Sequence, residues 1–567
     1  MSEIVIELGT WQYNAGIAGL CNILEKNGIE INIHEDKLVF NSEEDLKNAL
    51  ENFEEKYFNY LIEKYEKTLS WYKIVSYKEK LEEMKNNFDF FDEIKLKELN
   101  DCTKNMKNIL KSFIKSKNYE KIYNSINEDI NLLELEKNIR IISLKRNESI
   151  SDRKEEIFQI INEAIILTSY YEKGKKYLAG VGVIYGIINN AWSKVCFLNP
   201  QTKEKNFYKD FKNYFVDTAL SYLDEDKSKY KYECFVCDSK IKNFDNDFSF
   251  LNETGFDTAR KPSHAWNFLN NAGMCPLCRL IYSCIPAGFS YVYGNGIFIN
   301  SNQSLTELLR VNRLVYEKIY NHNTKNEGNS SLTYRALAEA LKDEKEENLK
   351  YELADIQMVR YENEKYYFNI LSKNIIKIIK NSKDDLDFLT KAYYKVNKDD
   401  KDKCSVYEEV MKRVLNNQNL FTLIYKILFY KISRDENCFF TSKHIMNILN
   451  INYRILEGVG LMENKENFNR EANVAGYYLR IAYISKKSEH KIPGLCYRIL
   501  NGIKTNNSKM VMDTIINAHM YADTPFSNII FKMLDSDENL EQIGYGFVLG
   551  FFYPKQNENS KADGGEE

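Results

Sequence analysis

Four cysteines constrain this chain more than any other feature. They fall as two matched pairs, Cys234-Phe-Val-Cys237 and Cys275-Pro-Leu-Cys278. A tetrahedral structural zinc site takes four thiolates, and a two-residue spacing lets one tight turn aim two sulfurs at one ion. Residues 238–274 separate the pairs, a longer gap than the about 15–20 residues of compact zinc ribbons. That loop must be an excursion with structure of its own, and it carries Arg260, Lys261, His264 and Trp266. Free cysteines pack as small hydrophobes, but buried thiols have no reason to occur in two pairs of equal spacing. The pattern therefore predicts a site at Cys234, Cys237, Cys275 and Cys278 that holds Zn2+. With every position filled by Cys there is no opening for substrate, so the metal is structural.

The rest of the chain must supply several cores, because 567 residues exceed what one core holds and two to four domains are expected. Hydrophobic residues at 44% and aromatics at 13% are enough to build them. Charge is dense but balanced, 78 basic against 82 acidic residues, so the net of −4 neither supports nor excludes a nucleic-acid partner. Eleven cysteines, seven of them scattered without pairing rhythm, fit a reducing compartment better than a disulfide framework. The opening Met1-Ser2-Glu3-Ile4 shows no basic-then-apolar leader. Leu280–Thr306, the longest uncharged run, is broken by Pro286, Gly288, Gly294 and Gly296, which makes it a poor membrane span. A cytoplasmic protein with no membrane partner is the expectation.

In order along the chain, Ile4–Leu8 is β-prone, Ala15–Leu24 reads as an apolar helix, and Ile29–Phe40 alternates like a hairpin. Ser42-x-x-Asp45 resembles a capping box, and Leu46, Leu50, Phe53, Tyr57, Leu61 and Tyr65 follow at helical spacing. Residues 42–175 are Lys/Glu-rich and helical, their charge runs read as solvated faces. The glycines at 180, 182 and 186 fit neither a dinucleotide fingerprint nor a phosphate loop. They predict a turn that either packs tightly or brings backbone near a ligand. Asn295-Gly296 is the signal of a type I′ hairpin turn, and Leu305–Tyr320 is helical. The fold expected is α+β: residues 1–320 form a mixed domain of small sheets and charged helices, with an inserted zinc-finger-like element at 230–285. A linker at 321–331 leads to an all-helical C-terminal bundle at 332–554 and a disordered tail at 555–567.

No catalytic signature stands out. His34, His264, His322, His444, His490 and His519 form no His-Glu-x-x-His motif, and neither a Gly-x-Ser-x-Gly elbow nor a kinase set is present. An enzyme is not expected.

Three stretches together resemble one family. They are Trp11-Gln-Tyr13-Asn14-Ala15-Gly16-Ile17-Ala18-Gly19-Leu20, Asn190-Ala-Trp192-Ser-Lys-Val-Cys-Phe-Leu198, and the paired Cys-x-x-Cys. The chain resembles the CXXC-CXXC family of CRISPR-associated proteins, the large subunits of type I-B Cascade. The resemblance implies a non-catalytic role in RNA-guided DNA surveillance. The implied partners are a CRISPR RNA ribonucleoprotein with its backbone and guide-end-capping subunits, target double-stranded DNA, and a recruited helicase-nuclease. Such a subunit helps recognise the protospacer-adjacent motif and promotes strand separation, while base pairing reads the sequence. A small subunit made by internal translation is a further expectation, with Met446 and Met462 in the region where a start would lie.

Candidate DNA contacts follow from the chemistry such a role needs. Asn189, Asn190 and Trp192 offer amides and an aromatic wedge. Tyr293, Gly294, Asn295 and Gly296 offer a bare turn, and Lys175, Lys176 and Lys194 offer charge for phosphate. In the last helices Arg480, Lys486, Lys487, Lys491 and Arg498 interleave with tyrosines, a pattern suited to a displaced strand. The competing reading is a stand-alone zinc-ribbon nucleic-acid-binding protein.

Overall fold

The opening strand, helix and hairpin form where the pattern places them. β1 (Ile4–Glu7), α1 (Trp11–Lys26), β2 (Asn32–His34) and β3 (Lys37–Phe40) build a three-stranded antiparallel sheet of order β1-β3-β2. The computed structural model describes residues 3–116, 119–126, 130–145, 148–256, 272–292, 294–302, 304–321, 334–335, 338, 356–398, 403–461 and 468–553. No helix among them is long and apolar enough to cross a membrane. The chain divides into two units, one of Met1–Arg313 with Val359–Phe368 and one of Leu314–Met358 with Asn369–Glu567.

In the first unit α1 is buried on every side from Tyr13 to Cys21, as a helix without a polar face must be. Ser42 caps α2 (Glu43–Leu50) by accepting a bond from the Asp45 N–H at 3.1 Å. The helical spacing continues into α3 (Phe53–Tyr65), but Asn52 takes a left-handed φ of 49° and splits it into two helices. The charged stretch beyond is helical with one apolar stripe per helix. In Glu93–Ile114 the buried residues are Leu96, Leu99, Cys102, Thr103, Met106 and Leu110.

Two expectations about turns are corrected. The glycines at 180 and 182 lie inside the helix Lys175–Val183, not in a turn, and Ile184–Ile188 continues it as one π-helical turn. Gly180 is required by packing, since a Cβ there would sit 2.7 Å from the Phe207 ring. The hairpin of β6 (Ser290–Val292) and β7 (Asn295–Asn300) pairs Val292 with Asn295. The turn therefore lies ahead of Asn295 and includes Gly294 at φ 86°, while Asn295 and Gly296 belong to the strand. Gly296 lies opposite Tyr291, and a Cβ on it would meet that ring at 2.6 Å. Strands β8 (Ile356–Glu362) and β9 (Lys365–Leu371) extend this sheet in the order β6-β7-β8-β9.

The second unit is mostly helical. Its core surrounds the helix Asp537–Phe552, buried almost throughout and packed on Phe468–Ser485. Asn452 and Gln542, both fully buried, tie three helices together. Asn452 Nδ2 donates to Gln542 Oε1 at 2.8 Å, and Gln542 Nε2 donates to the Leu449 carbonyl at 2.9 Å and to Asn469 Oδ1 at 2.5 Å. Helices do not fill the unit entirely: Tyr393–Tyr394, Cys404–Ser405 and Cys438–Phe439 form a small antiparallel sheet. These strands of two residues are too short to leave a periodic signal. Met446 lies within the helix Ser442–Gly458. Residues 322–331 of the expected linker, Met462 and the tail from 554 lie outside the described residues.

Candidate metal centre and surrounding surfaces

The first cysteine pair sits at the tip of a short hairpin, β4 (Tyr232–Glu233) with β5 (Lys240–Ile241), paired Tyr232 to Ile241 and Glu233 to Lys240. Between the strands the chain folds back through Cys234 N to the Ser239 carbonyl at 2.8 Å and Asp238 N to the Cys234 carbonyl at 3.0 Å. Asp238 takes the left-handed φ of 56° that this knuckle needs. The second pair starts the helix Pro276–Ser283. Cys275 is its N-cap and Pro276 its first residue, the position where proline's missing N–H costs nothing. One pair is thus aimed by a hairpin and the other by a helix end.

All four Sγ atoms lie within 4.8 Å of one another, and Cys237 Sγ stands 3.7 Å from Cys275 Sγ. A tetrahedron with metal–sulfur bonds of about 2.3 Å has edges of about 3.8 Å, so the cluster fits a four-coordinate thiophilic metal. Backbone donors also converge on the sulfurs. Cys275 N reaches Cys234 Sγ at 3.2 Å, Val236 N reaches the same sulfur at 3.4 Å, and Cys278 N reaches Cys275 Sγ at 3.4 Å. Cys237 is exposed and the other three are buried. Sulfur-to-sulfur hydrogen bonding pulls the Cys234 and Cys237 thiols down and pushes Cys275 and Cys278 up. Two thiolates are favoured here and the remaining two are opposed, which is the charge a divalent cation neutralises.

Sequence reasoning singled out the cysteines but not their supports. Tyr13 of α1 lies 3.4 Å from Cys278 Sγ through its hydroxyl, and burial raises its pKa well above the usual value, so the phenol keeps its proton for the sulfur. Gly16 and Gly19 bring α1 onto the backbone of Ile281 and Cys284, where any Cβ would collide with a carbonyl. Arg279, next to Cys278, is buried with no ion pair among the described residues. Its guanidinium donates to Asn246 Oδ1 at 2.5 Å, the Tyr214 carbonyl at 2.8 Å and Thr218 Oγ1 at 3.0 Å, and stacks 4.5 Å from the Tyr214 ring centroid. The only signal for these roles in the sequence was the run Tyr13–Leu20 itself, whose small residues mark a close approach.

The excursion between the pairs is structured where described, and it fastens residues 189–193. Asn252 N donates to the Ala191 carbonyl at 3.0 Å and Ser193 N to the Phe250 carbonyl at 2.8 Å, while Asn252 Nδ2 donates to the Asn189 carbonyl at 2.7 Å. Arg260, Lys261, His264 and Trp266 lie outside the described residues.

The candidate contact residues divide by exposure. Trp192 is wholly buried among Phe197, Phe215 and Phe250, and its indole N–H donates to the Ser283 carbonyl at 3.1 Å. This corrects the expected wedge: its ring faces have no access to bases. Asn189 and Lys194 are exposed, Lys194 at φ 69°. Asn190 is half-buried and spends its amide N–H on the Gly186 carbonyl at 2.8 Å. Lys175 pairs with Glu66 at 3.1 Å and Lys176 with Glu55 at 2.7 Å. Gly294 is exposed, Asn295 half-buried and Gly296 buried, while Tyr293 lies outside the described residues.

In the second unit Arg480 is also internal. It donates to the Phe552 carbonyl at 2.7 Å and pairs with Glu489, so it caps the end of the helix Asp537–Phe552 rather than facing a nucleic acid. Lys486 and Lys491 gather on Tyr521, and Lys487 and Arg498 are exposed.

Residues 227–290 match a family model described as CRISPR-associated protein (Cas_CXXC_CXXC). The match spans the hairpin, both cysteine pairs and the helix Pro276–Ser283. No curated protein and no solved structure matches the chain.

Proposed function

Residues 227–290 match the CRISPR-associated CXXC-CXXC family model, and on that premise we propose that the chain is the non-catalytic large subunit of a type I-B Cascade. In this role it helps read the protospacer-adjacent motif on duplex DNA, promotes strand separation and recruits the helicase-nuclease. One observation carries the reading. The three stretches on which the resemblance rests form a single packed body: α1 reaches Cys278 through Tyr13, and Trp192 reaches the same helix through Ser283. Zn2+ is the proposed metal, held by Cys234, Cys237, Cys275 and Cys278 and supplying structure only, since four thiolates close its coordination.

The division of exposure favours some of the candidate residues for the DNA-facing roles over others. Asn189 and Lys194 stand on the surface of a segment fastened from behind, and Gly294 offers a bare turn. Phosphates and groove edges are met by such groups, while the guide supplies sequence recognition. Lys175 and Lys176 carry acidic partners and would contribute less. Backbone and guide-end-capping subunits with their CRISPR RNA are the proposed partners.

Affinity purification of the tagged chain from its native host, with sequencing of bound RNA and protein, tests this. Short repeat-spacer RNAs and stoichiometric partner subunits are expected. A lone chain that carries metal, lacks RNA and binds nucleic acid unaided would replace this reading with the stand-alone zinc-ribbon protein.

A further inference from the structure

The helix Phe468–Ser485 is apolar on two sides, and only one is used. Ala472, Ala475, Gly476, Leu479 and Tyr483 are buried. Gly476 and Gly550 let this helix meet Asp537–Phe552 backbone to backbone, with a Cβ at either position colliding with a carbonyl. The other side shows Val474, Tyr478 and Ile481, which are 41%, 66% and 44% exposed. Their spacing of i, i+4 and i+7 is that of a seam offered to another helix. A helix apolar on both sides is ordinarily covered on both.

A groove of about 620 Å³ runs beside this seam, lined by Ala475, Leu479, Ala482, His519, Pro525 and Phe526. His519 is buried there; its Nδ1 meets Thr524 Oγ1 at 2.9 Å and its Nε2 has no partner among the described residues. Phe526 carries the apolar surface onward to Phe531, ring to ring at 5.0 Å, and Phe531 is itself exposed.

The two ends of the groove differ in charge. At one end Arg470 and Glu471 stand side by side. Beyond the other, one turn past the lining residue Ala482, whose carbonyl accepts from the Lys486 N–H at 3.1 Å, Tyr521 gathers two ammonium groups: Lys486 donates to its carbonyl at 2.9 Å, and Lys491 lies 3.1 Å from its hydroxyl and 4.2 Å from its ring centroid. Neither lysine makes an ion pair among the described residues.

We propose that this groove seats a helix of a partner protein, apolar at i, i+4 and i+7 and carrying carboxylates at the end that meets Lys486 and Lys491. Charge complementarity selects this occupant. A nucleic acid needs cations along its whole track, whereas the groove wall is apolar and its far end is neutral overall. A second copy laid antiparallel would set Arg470 and Glu471 against the lysines, a net-neutral match where a net-negative one is called for. The proposal draws only on the second unit and does not depend on the guide-RNA reading.

The test replaces Tyr478, and separately Ile481, with the photocrosslinker p-benzoylphenylalanine in the tagged full-length chain expressed in its native host. After irradiation the crosslinked peptides are sequenced by mass spectrometry. Both positions are expected to capture one segment of one co-purifying stoichiometric protein, with apolar residues at i, i+4 and i+7 and Asp or Glu at one end. Lys486→Glu combined with Lys491→Glu should lower the yield at least tenfold while the thermal melt of the chain is unchanged. Crosslinks to nucleic acid, to a second copy of the chain, or to nothing at both positions overturn the proposal, as does a double reversal that leaves the yield within twofold. RNA sequenced from the same preparation reads the surveillance role separately, so failure of either idea leaves the other readable.

Discussion

Trp192 separates a packing role from a DNA role most cleanly. Trp192→Phe removes one N–H donor and part of the indole while keeping a ring able to stack. The Ser283 carbonyl does not lose its last donor, because the Tyr57 hydroxyl also reaches it at 2.9 Å. The cost is therefore one hydrogen bond, about 1 kcal/mol, and a void of roughly 40 Å³, about 1 kcal/mol more. Trp192→Ala empties the site among Phe197, Phe215 and Phe250 and should cost about 3–5 kcal/mol. The measurement is urea unfolding of the metal-loaded chain followed by near-UV dichroism, beside strand separation of a 2-aminopurine-labelled target by the assembled complex. About 2 kcal/mol lost in Trp192→Phe, with strand separation per folded molecule unchanged in both variants, is expected. A loss under about 0.5 kcal/mol in Trp192→Ala, with strand separation kept by Phe and abolished by Ala, would refute the packing argument and restore the wedge.

Other perturbations read other parts of the fold. If the proposed Zn2+ fills the site, elemental analysis should find about one ion per chain, and Cys278→Ser should reduce it to a small fraction and lower the melting temperature, because the ligand lost is also the one Tyr13 supports. Glu541 has its pKa raised to about 7 by burial, with Glu538 and Asp537 adding to it. The folded state therefore holds a proton there between about pH 4.5 and 7 that the unfolded chain has released, so this group opposes folding increasingly as pH rises through that window. Glu541→Gln should stabilise the second unit by about 1–2 kcal/mol at pH 8 and change nothing at pH 4, as thermal melts across pH would show. Gly294→Ala should cost about 1 kcal/mol from its left-handed φ alone, whereas Gly296→Ala should cost more because the Tyr291 ring must move. Equal melting temperatures for the two variants would contradict the placement of the turn.

What could be read ahead of the structure depended on how local the cause was. Ser42 and Asp45 form a cap across three residues, and the Cys-x-x-Cys pairs aim their sulfurs across two, so both were legible. The turn ahead of Asn295 was misplaced because Asn295-Gly296 carries a strong local turn signal, yet Gly296 answers to the Tyr291 ring on the neighbouring strand. The same applies at Gly180, which answers to Phe207, and at Arg480, whose charge is spent on a helix end and on Glu489. Trp192 looked like an exposed wedge because polar neighbours surround it in sequence. Its real surroundings come from the nearby Phe197 and from 215, 250 and 283, and no short window around 192 contains those last three. Tyr13 and Arg279 support the metal centre through contacts that span most of the first unit or carry no motif.

The docking of α1 on the cysteine-bearing helix also has a consequence for biosynthesis. Tyr13 and Cys278 are 265 positions apart, so on a ribosome adding about 5–20 residues per second the first helix emerges roughly 13–50 s before its partner exists. Through that interval a segment apolar on all sides has nothing to cover it, and the proposed metal could not be held by all four cysteines until the last of them has left the exit tunnel. Nascent chains stalled before residue 278 should therefore expose α1 to chaperones and proteases, and ion capture becomes a late event that closes the first unit from its beginning.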